Sequence, residues 1–146
     1  MFSALPVERA YIYFFNDEDK PSLHASSGIT RHFEPKPSFY ALSHLQRVLG
    51  EFRLAQVVTN EPGKLRVQEY WNDSNKIIWV VWLPSGENKT LRVKLARAPG
   101  KLIDSQWMPM TENLNDSKMN PLAMQKADGL IELTATESPA YLTFEK

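Results

Sequence analysis

The sequence predicts a mainly β protein, an antiparallel β-sandwich with one N-terminal helix. The first observation is an unbroken run of seven apolar residues, four of them β-branched, over Ile77–Leu83. A short run of this kind between turn-forming clusters is typical of a strand buried on both faces. The second observation is that several more strand-like runs follow residue 50, and the third is that only one segment has apolar residues at helical spacing. Many short strands joined by turns favour a sandwich.

Length and charge limit the classes of function. The chain has 146 residues, the size of one ordinary domain. Its 17 basic and 17 acidic residues balance, and it has no polybasic cluster, so we expect neither a nucleic-acid nor a membrane partner. The absence of cysteine excludes disulfides, thiolate metal sites and a cysteine nucleophile. The first ten residues show no signal-peptide pattern, and the cellular location stays open.

The first fifty residues are predicted to form a strand, a loop and a helix. The aromatic run Ala10–Phe15 is strand-like, and a long connection over residues 22–36 follows it. The helix is predicted over Pro37–Leu49, because proline suits the first helical position and Gly50 suits the C-terminal cap. Its apolar residues form a stripe that must pack on something: Ala41, Leu42, Leu45, Val48 and Leu49.

After residue 50 the pattern changes from helical spacing to alternation. Strands are predicted at residues 52–58, 65–71, 77–83, 91–95, 102–107, 130–134 and 141–144. The polar stretch 111–127 is interpreted as a long irregular excursion. These patterns divide the chain into a strand–loop–helix unit, residues 1–50, and a β-sandwich domain, residues 51–146.

The four tryptophans are candidates for the core or for a sugar-stacking surface. Trp79 and Trp82 lie in the continuous apolar run with opposite parity, so they are predicted to point to opposite faces and to belong to the core. Trp71 and Trp107 lie at strand ends, where core and surface positions both stay open. These two are our candidates for stacking on a sugar ring.

Residues suited to catalysis or metal binding form no recognised pattern. His24, His32 and His44 lack the spacing of a metal site, and the acidic cluster Asp17–Asp19 lacks the glycine and distal glutamate of a calcium loop. The sequence contains no nucleophile elbow and no phosphate-binding glycine loop. The residues themselves therefore predict no metal site, no cofactor and no catalytic centre.

The order of the segments resembles a known family. The strand-like run is followed by Ser27–Thr30 (SGIT), by Pro35–Leu42 (PKPSFYAL) at the start of the helix, and finally by Ser138–Leu142 (SPAYL). This order resembles the C-terminal end of a retaining glycoside hydrolase of the (β/α)8-barrel superfamily, in the family that includes β-xylosidases and α-L-iduronidases.

The resemblance implies that the first fifty residues correspond to the last strand, loop and helix of a barrel, with the sandwich directly after it. Phe15, Asn16 and Asp17 would then approach the sugar site. The family's acid/base and nucleophile are glutamates on earlier barrel strands, which would lie upstream of Met1, so no catalytic residue is carried over. The turn after residues 102–104 departs from the family's pattern because it lacks a glycine, which leaves the strand pairing there open.

Three functions remain open at this point. The first is a non-catalytic C-terminal sandwich region of a glycoside-hydrolase-like protein, with a structural or accessory role in carbohydrate metabolism and no activity alone. The alternative is a free-standing module that binds carbohydrate or protein, and the third is a small hydrolase. The expected partners are a carbohydrate, the missing barrel or a second copy, since an unpaired strand at Tyr11–Phe15 should join the sandwich edge or mediate a homodimer.

Overall fold

The computed structural model describes residues 4–12, 14–18, 20, 25–95, 97–113 and 122–146. Within these ranges one α-helix, α1, covers Pro37–Leu49, as predicted. The strands are β1 (Thr30–Arg31), β2 (Glu34–Pro35), β3 (Arg53–Glu61), β4 (Leu65–Trp71), β5 (Lys76–Trp82), β6 (Leu91–Leu95), β7 (Lys101–Trp107), β8 (Ala123–Gln125), β9 (Ile131–Ala135) and β10 (Ala140–Glu145). The mainly β fold is therefore confirmed.

Two antiparallel sheets form the sandwich. The larger has five strands in the order β3-β4-β5-β10-β7, and the smaller has three in the order β6-β9-β8. The predicted central run forms β5, which lies in the middle of the larger sheet and pairs with β4 and β10. A two-stranded hairpin, β1–β2, stands apart from both sheets.

The main core lies between the two sheets. Trp79 of β5 is 2% exposed, and its ring contacts Phe144 of β10 edge-on, with 5.1 Å between the ring centroids. The indole Nε1 donates a hydrogen bond of 2.8 Å to Glu69 Oε2 on the neighbouring strand. The smaller sheet contributes buried residues from β6 and β9: Val93, Leu95, Ile131, Leu133 and Ala135. The prediction that Trp79 belongs to the core is confirmed.

The opposite face of the larger sheet carries a second apolar cluster. Its buried members are Tyr70, Ile78, Val80 and Tyr141, and partly buried residues from α1 and its C-terminal connection pack against them. Trp82 is half-buried in this cluster. The two tryptophans of β5 therefore point to opposite faces, as their parity predicts.

The predicted apolar stripe of α1 is wrong at one position. Leu45 is 39% exposed, whereas the preceding residue, His44, is 1% exposed and packs edge-on against Tyr141 at 5.0 Å between ring centroids. Successive helical residues are turned by about 100°, so a buried face centred on His44 and Val48 carries Leu45 away from the sheet. An aromatic contact thus replaces the expected leucine.

The segment N-terminal to α1 differs most from its prediction. The described part of Ala10–Phe15 is not in a strand, and it does not join an edge of the sandwich. The end of the run contacts residues 29 and 30 through the Phe15 carbonyl, and Asn16, directly after it, forms an isolated parallel bridge with Thr30. Among the described residues no strand of either sheet lies beside the run, so this bridge is not extended into a ladder. Tyr13, in the middle of the run, lies outside the described residues.

Two predicted loops contain short strands. The connection 22–36 includes the hairpin β1–β2, and the excursion 111–127 includes β8, which pairs with β9. Both are too short to give a periodic signal. The division of the chain at residue 50 stays a prediction. In the described part of the chain, no helix is long and apolar enough to cross a membrane.

Candidate functional site

Asp17 organises the loop between the aromatic run and α1. Its Oδ1 accepts hydrogen bonds from the Gly28 amide at 2.8 Å and from Lys36 Nζ at 3.2 Å. Lys36 Nζ also donates to Asp17 Oδ2 at 3.0 Å and to the Ser26 carbonyl at 3.0 Å. One carboxylate therefore connects the end of the aromatic run to the start of α1.

The close approach at this carboxylate requires a glycine at position 28. A Cβ on Gly28 would lie 2.8 Å from Asp17 Oδ1 and 2.8 Å from the Asp17 amide nitrogen. Both distances are shorter than real Cβ contacts, and the amide is backbone that cannot rotate away. The close approach to Asp17 therefore explains why position 28, within the Ser27–Thr30 motif, is a glycine.

The charge of Asp17 is held by its partners. Burial raises the pKa of the Asp17 carboxyl. The hydrogen bonds from Lys36 and Gly28 and the charges of Lys36 and Arg31 lower it by more than burial raises it, so the pKa lies below its usual value. The group is an anion at neutral pH, with both oxygens engaged. It is suited to holding the loop and poorly suited to accepting a proton from a substrate.

Asn16 is also engaged within the loop. Its Oδ1 accepts hydrogen bonds from Thr30 Oγ1 at 3.0 Å and from the Phe33 amide at 2.8 Å. Phe33 has a positive φ of 63° and is 78% exposed, and Phe15 is 61% exposed. Of the three residues predicted to approach a sugar, Phe15 presents its side chain to the surface, while Asn16 and Asp17 hold the loop. Their approach to a sugar stays a prediction.

The two candidate stacking tryptophans are not brought together. Trp71 pairs with Ile77 at one end of the larger sheet, whereas Trp107 pairs with Ala140 at the other end. Trp107 packs against the main core, and Trp71 is 44% exposed. The two tryptophans therefore do not form one platform, and Trp71 is the more exposed of the two. Stacking of either ring on a sugar stays a prediction.

Trp71 borders a cleft of about 270 Å3. The lining residues come from the α1–β3 connection, from β3 itself and from the β4–β5 turn: Glu51, Arg53, Trp71, Asn72 and Asp73. Arg53 lies directly opposite Trp71 in the β3–β4 pairing. The sequence alone did not identify the four polar residues beside Trp71 as part of a site. Positions 51 and 53 lie next to positions 71–73 only because of the β3–β4 strand register.

The Trp71 cleft and the Asp17 loop lie at opposite ends of α1. Lys36 is the N-cap of this helix, and Glu51 follows its C-terminal end. A helix of 13 residues is about 20 Å long. The two places are therefore separate sites, and one sugar ring cannot contact both.

A smaller cavity of about 170 Å3 lies over α1, where it is lined by Tyr40, Ser43, His44, Arg47, Thr111 and Glu112. Arg47 donates a hydrogen bond of 2.9 Å to His44 Nδ1, so this nitrogen is the acceptor of a neutral ring. Burial and the Arg47 charge lower the pKa of His44 to about 4. Its Nε2 and the Tyr141 hydroxyl have no hydrogen-bond partner among the residues that the structure describes.

The described residues contain no group of three or more His, Asp or Glu side chains that could hold a metal ion. Neither His32 nor His44 therefore contributes to such a group. His24 and Asp19, two further residues weighed as metal ligands, lie outside the described residues.

Comparison with known proteins relates the fold to glycoside hydrolases. No family model matches the chain, and no curated protein matches it. The structure is similar to a family 39 glycoside hydrolase from the gut symbiont Bacteroides cellulosilyticus WH2, with a TM-score of 0.67 and 22% identity, over 90% of this chain and 25% of that one. A family 30 subfamily 8 xylanase from Clostridium acetobutylicum matches over 60% of this chain and 22% of its own, with 17% identity and a TM-score of 0.44.

The chain thus spans about a quarter of the length of the family 39 enzyme that it matches. At 22% identity the likeness establishes the fold, which is that of a portion of a glycoside hydrolase. The resemblance found in the order of sequence segments is confirmed at this level.

Proposed function

We propose that this chain is a non-catalytic C-terminal region of a glycoside-hydrolase-like protein, and that it supports a (β/α)8 barrel. The sandwich with α1 is the support. The surface that the barrel covers consists of Tyr11, Ile12, Phe15 and Phe33, which we call the N-terminal apolar surface. The likeness to a quarter of a family 39 enzyme and the order of the sequence segments support this proposal.

The observation that carries the proposal is the exposure of these side chains. Tyr11 is 81% exposed, Ile12 48%, Phe15 61% and Phe33 78%. Neighbouring apolar side chains left in water typically mark an interaction surface. The same run carries the parallel bridge between Asn16 and Thr30. Parallel pairing is typical of sheets that are covered on both faces, as in a barrel.

The hydrogen bonds beneath this surface fit a positioning role. The Phe15 carbonyl accepts from the Ile29 and Thr30 amides at 3.0 and 2.9 Å and from Thr30 Oγ1 at 2.9 Å. The Asp17–Lys36 ion pair then fixes the loop to the start of α1. These contacts hold the loop that carries the aromatic side chains, and they engage both oxygens of the Asp17 carboxylate.

The state of association tests this interface. We expect the chain to self-associate with rising concentration in sedimentation velocity, because its N-terminal apolar surface has no cover. The double variant Tyr11→Lys/Phe15→Lys should be monomeric with an unchanged unfolding midpoint. The control Leu91→Lys/Ile103→Lys, which changes exposed apolar residues elsewhere, should associate as the parent does. A parent chain that stays monomeric and behaves like the double variant would refute the interface.

Activity assays test the non-catalytic part of the proposal. Glycosidases use two carboxylates about 5 Å or about 6.5–9.5 Å apart across the scissile bond. Both Asp17 oxygens are engaged by Lys36, so this carboxylate is not free to serve as one of them. We expect no turnover of a panel of aryl glycosides. Turnover that Asp17→Asn or another single carboxylate substitution abolishes would overturn this part.

A further inference from the structure

The cleft beside Trp71 combines an exposed aromatic ring with polar side chains. Trp71 ends β4, and the register places Arg53 of β3 directly opposite. Glu51 comes from the α1–β3 connection, and Asn72 and Asp73 come from the β4–β5 turn. Two stretches of chain, residues 51–53 and 71–73, therefore meet at one ring.

The charged side chains of the cleft are available to a ligand. No hydrogen bond or ion pair joins the side chains of Glu51, Arg53 and Asp73 to another described residue. Asn72 uses its Oδ1 to accept from the Ser74 amide at 3.0 Å within its own turn. The cleft thus offers two carboxylate acceptors and one guanidinium donor beside the indole.

The cleft is tied to the end of the chain. Lys146 makes two hydrogen bonds with Asn75: its amide donates to the Asn75 carbonyl at 3.0 Å, and its carbonyl accepts from the side-chain Nδ2 of Asn75 at 3.1 Å. Its Nζ lies 5.7 Å from the centroid of the Trp71 ring. These contacts position the turn that carries Asn72 and Asp73, and the flexible ammonium can move aside from the ring.

We propose that this cleft binds one ring of a neutral oligosaccharide. A pyranose has an apolar C–H face that stacks on an indole and a rim of hydroxyls that both donate and accept hydrogen bonds. Glu51 and Asp73 accept from hydroxyls, and Arg53 donates to them. The carboxylates of Glu51 and Asp73 are balanced by the guanidinium of Arg53 and by the Lys146 ammonium near the ring, so the cleft has no excess of positive charge to attract an acidic sugar. A volume of about 270 Å3 lies just below the usual range of about 300–1,000 Å3 for small-molecule sites and suits a single ring.

This site is independent of the proposed barrel interface. The N-terminal apolar surface belongs to the segment before α1, and the Trp71 cleft lies beyond the C-terminal end of that helix. A failed association experiment leaves sugar binding untouched, and a failed sugar titration leaves the interface untouched.

Chemical-shift titration tests the inference directly. The 15N-labelled chain is titrated with cellohexaose, xylohexaose and, as the acidic contrast, hexagalacturonate. We expect saturable shifts at residues 51–53 and 71–73 with at least one neutral oligosaccharide, at a Kd of about 1 mM, which is typical of a single weakly held ring. Hexagalacturonate should bind no more tightly than the neutral oligosaccharides, because the cleft carries no excess of positive charge.

Matched variants separate a site from a general effect on the surface. Trp71→Ala should weaken binding about tenfold or more, and Asp73→Asn should weaken it less. The controls are Phe33→Ala, an exposed aromatic side chain, and Asp104→Asn, an exposed carboxylate on the far edge strand, and both should bind as the parent does. The inference is overturned if no neutral oligosaccharide produces saturable shifts at 10 times the expected Kd, or if Trp71→Ala binds as tightly as the parent.

Discussion

The sandwich and the segment before α1 are held together by different interactions. The sandwich buries large apolar side chains between its sheets, among them Trp79, Phe144 and Leu142, each at most 2% exposed. The segment before α1 buries few apolar groups and is held by hydrogen bonds around Asp17 and Asn16, while its aromatic side chains lie in water. Burial of apolar surface dominates folding free energy, whereas single hydrogen bonds contribute modestly.

The two parts also differ in how far the chain itself covers their apolar side chains. The central strands of the larger sheet, β4, β5 and β10, contribute buried residues to both apolar clusters, one against the smaller sheet and one against α1 and its C-terminal connection. Backbone hydrogen bonds fix the segment before α1 in place, but no other part of the described chain covers its aromatic side chains. We therefore expect the sandwich to determine the stability of the whole chain and the N-terminal segment to open locally.

The largest expected effect comes from the core of the sandwich. Trp79→Ala should lower the free energy of unfolding by about 3–5 kcal/mol, because it leaves a cavity against Phe144 and unpairs Glu69 Oε2. Trp71→Ala on the neighbouring strand is the matched control and should cost less than about 1 kcal/mol, since that side chain is 44% exposed. Urea unfolding of both variants gives the comparison. Equal losses would mean that the two positions do not differ in burial.

The stability of the chain should depend on pH through His44, which is buried between α1 and the larger sheet. The pKa of His44 in the folded chain is about 4, below its usual 6.5, so the unfolded chain binds the proton more readily. Stability therefore falls as the pH drops below about 6.5, and the loss at pH 5 is about 2 kcal/mol. Urea midpoints at pH 7 and pH 5 measure this loss. His44→Leu should remove most of the dependence, and His32→Leu, at an exposed position, should retain it. Equal stability of the parent chain at pH 7 and pH 5 would contradict the claim that His44 is buried as a neutral imidazole.

The smallest effect on global stability is expected from the N-terminal loop. Asp17→Asn removes the ion pair with Lys36, so the loop should open more often and trypsin should cleave after Arg31 several-fold faster. The urea midpoint should stay close to that of the parent, because the sandwich sets it. Asp104→Asn is the control carboxylate change and should leave the cleavage rate unchanged. A large drop in the midpoint of Asp17→Asn would show that the loop is part of the cooperative core.

The sequence predicted most reliably those elements that have a strong local period. The helix Pro37–Leu49 has the predicted bounds, and every strand described from Arg53 to Glu145 except β8 lies within a few residues of a predicted run. A continuous apolar run and clean alternation are local signals, so they need no knowledge of neighbours. The short strands β1, β2 and β8 have too few residues to carry such a signal.

What the sequence could not supply was the set of pairings between distant segments. The run Ala10–Phe15 has the composition of a strand, but a strand also needs neighbours, which composition does not reveal. The burial of His44 depends on the position of Tyr141, nearly a hundred residues further along the chain. Likewise, Trp71 could be proposed for stacking from its place at a strand end, but its polar neighbours Glu51 and Arg53 follow from the register alone.

Native-state hydrogen exchange tests the central claim, that the sandwich is self-sufficient and the segment before α1 is held only by local polar contacts. We expect amides of β5 and β10 to exchange only through global unfolding, and the hydrogen-bonded amides of Asp17, Ile29 and Thr30 to exchange through local opening at a much lower free energy. The opening free energy of these three amides should also be insensitive to low urea concentrations. Exchange of both groups with one common free energy and one common urea dependence would contradict it.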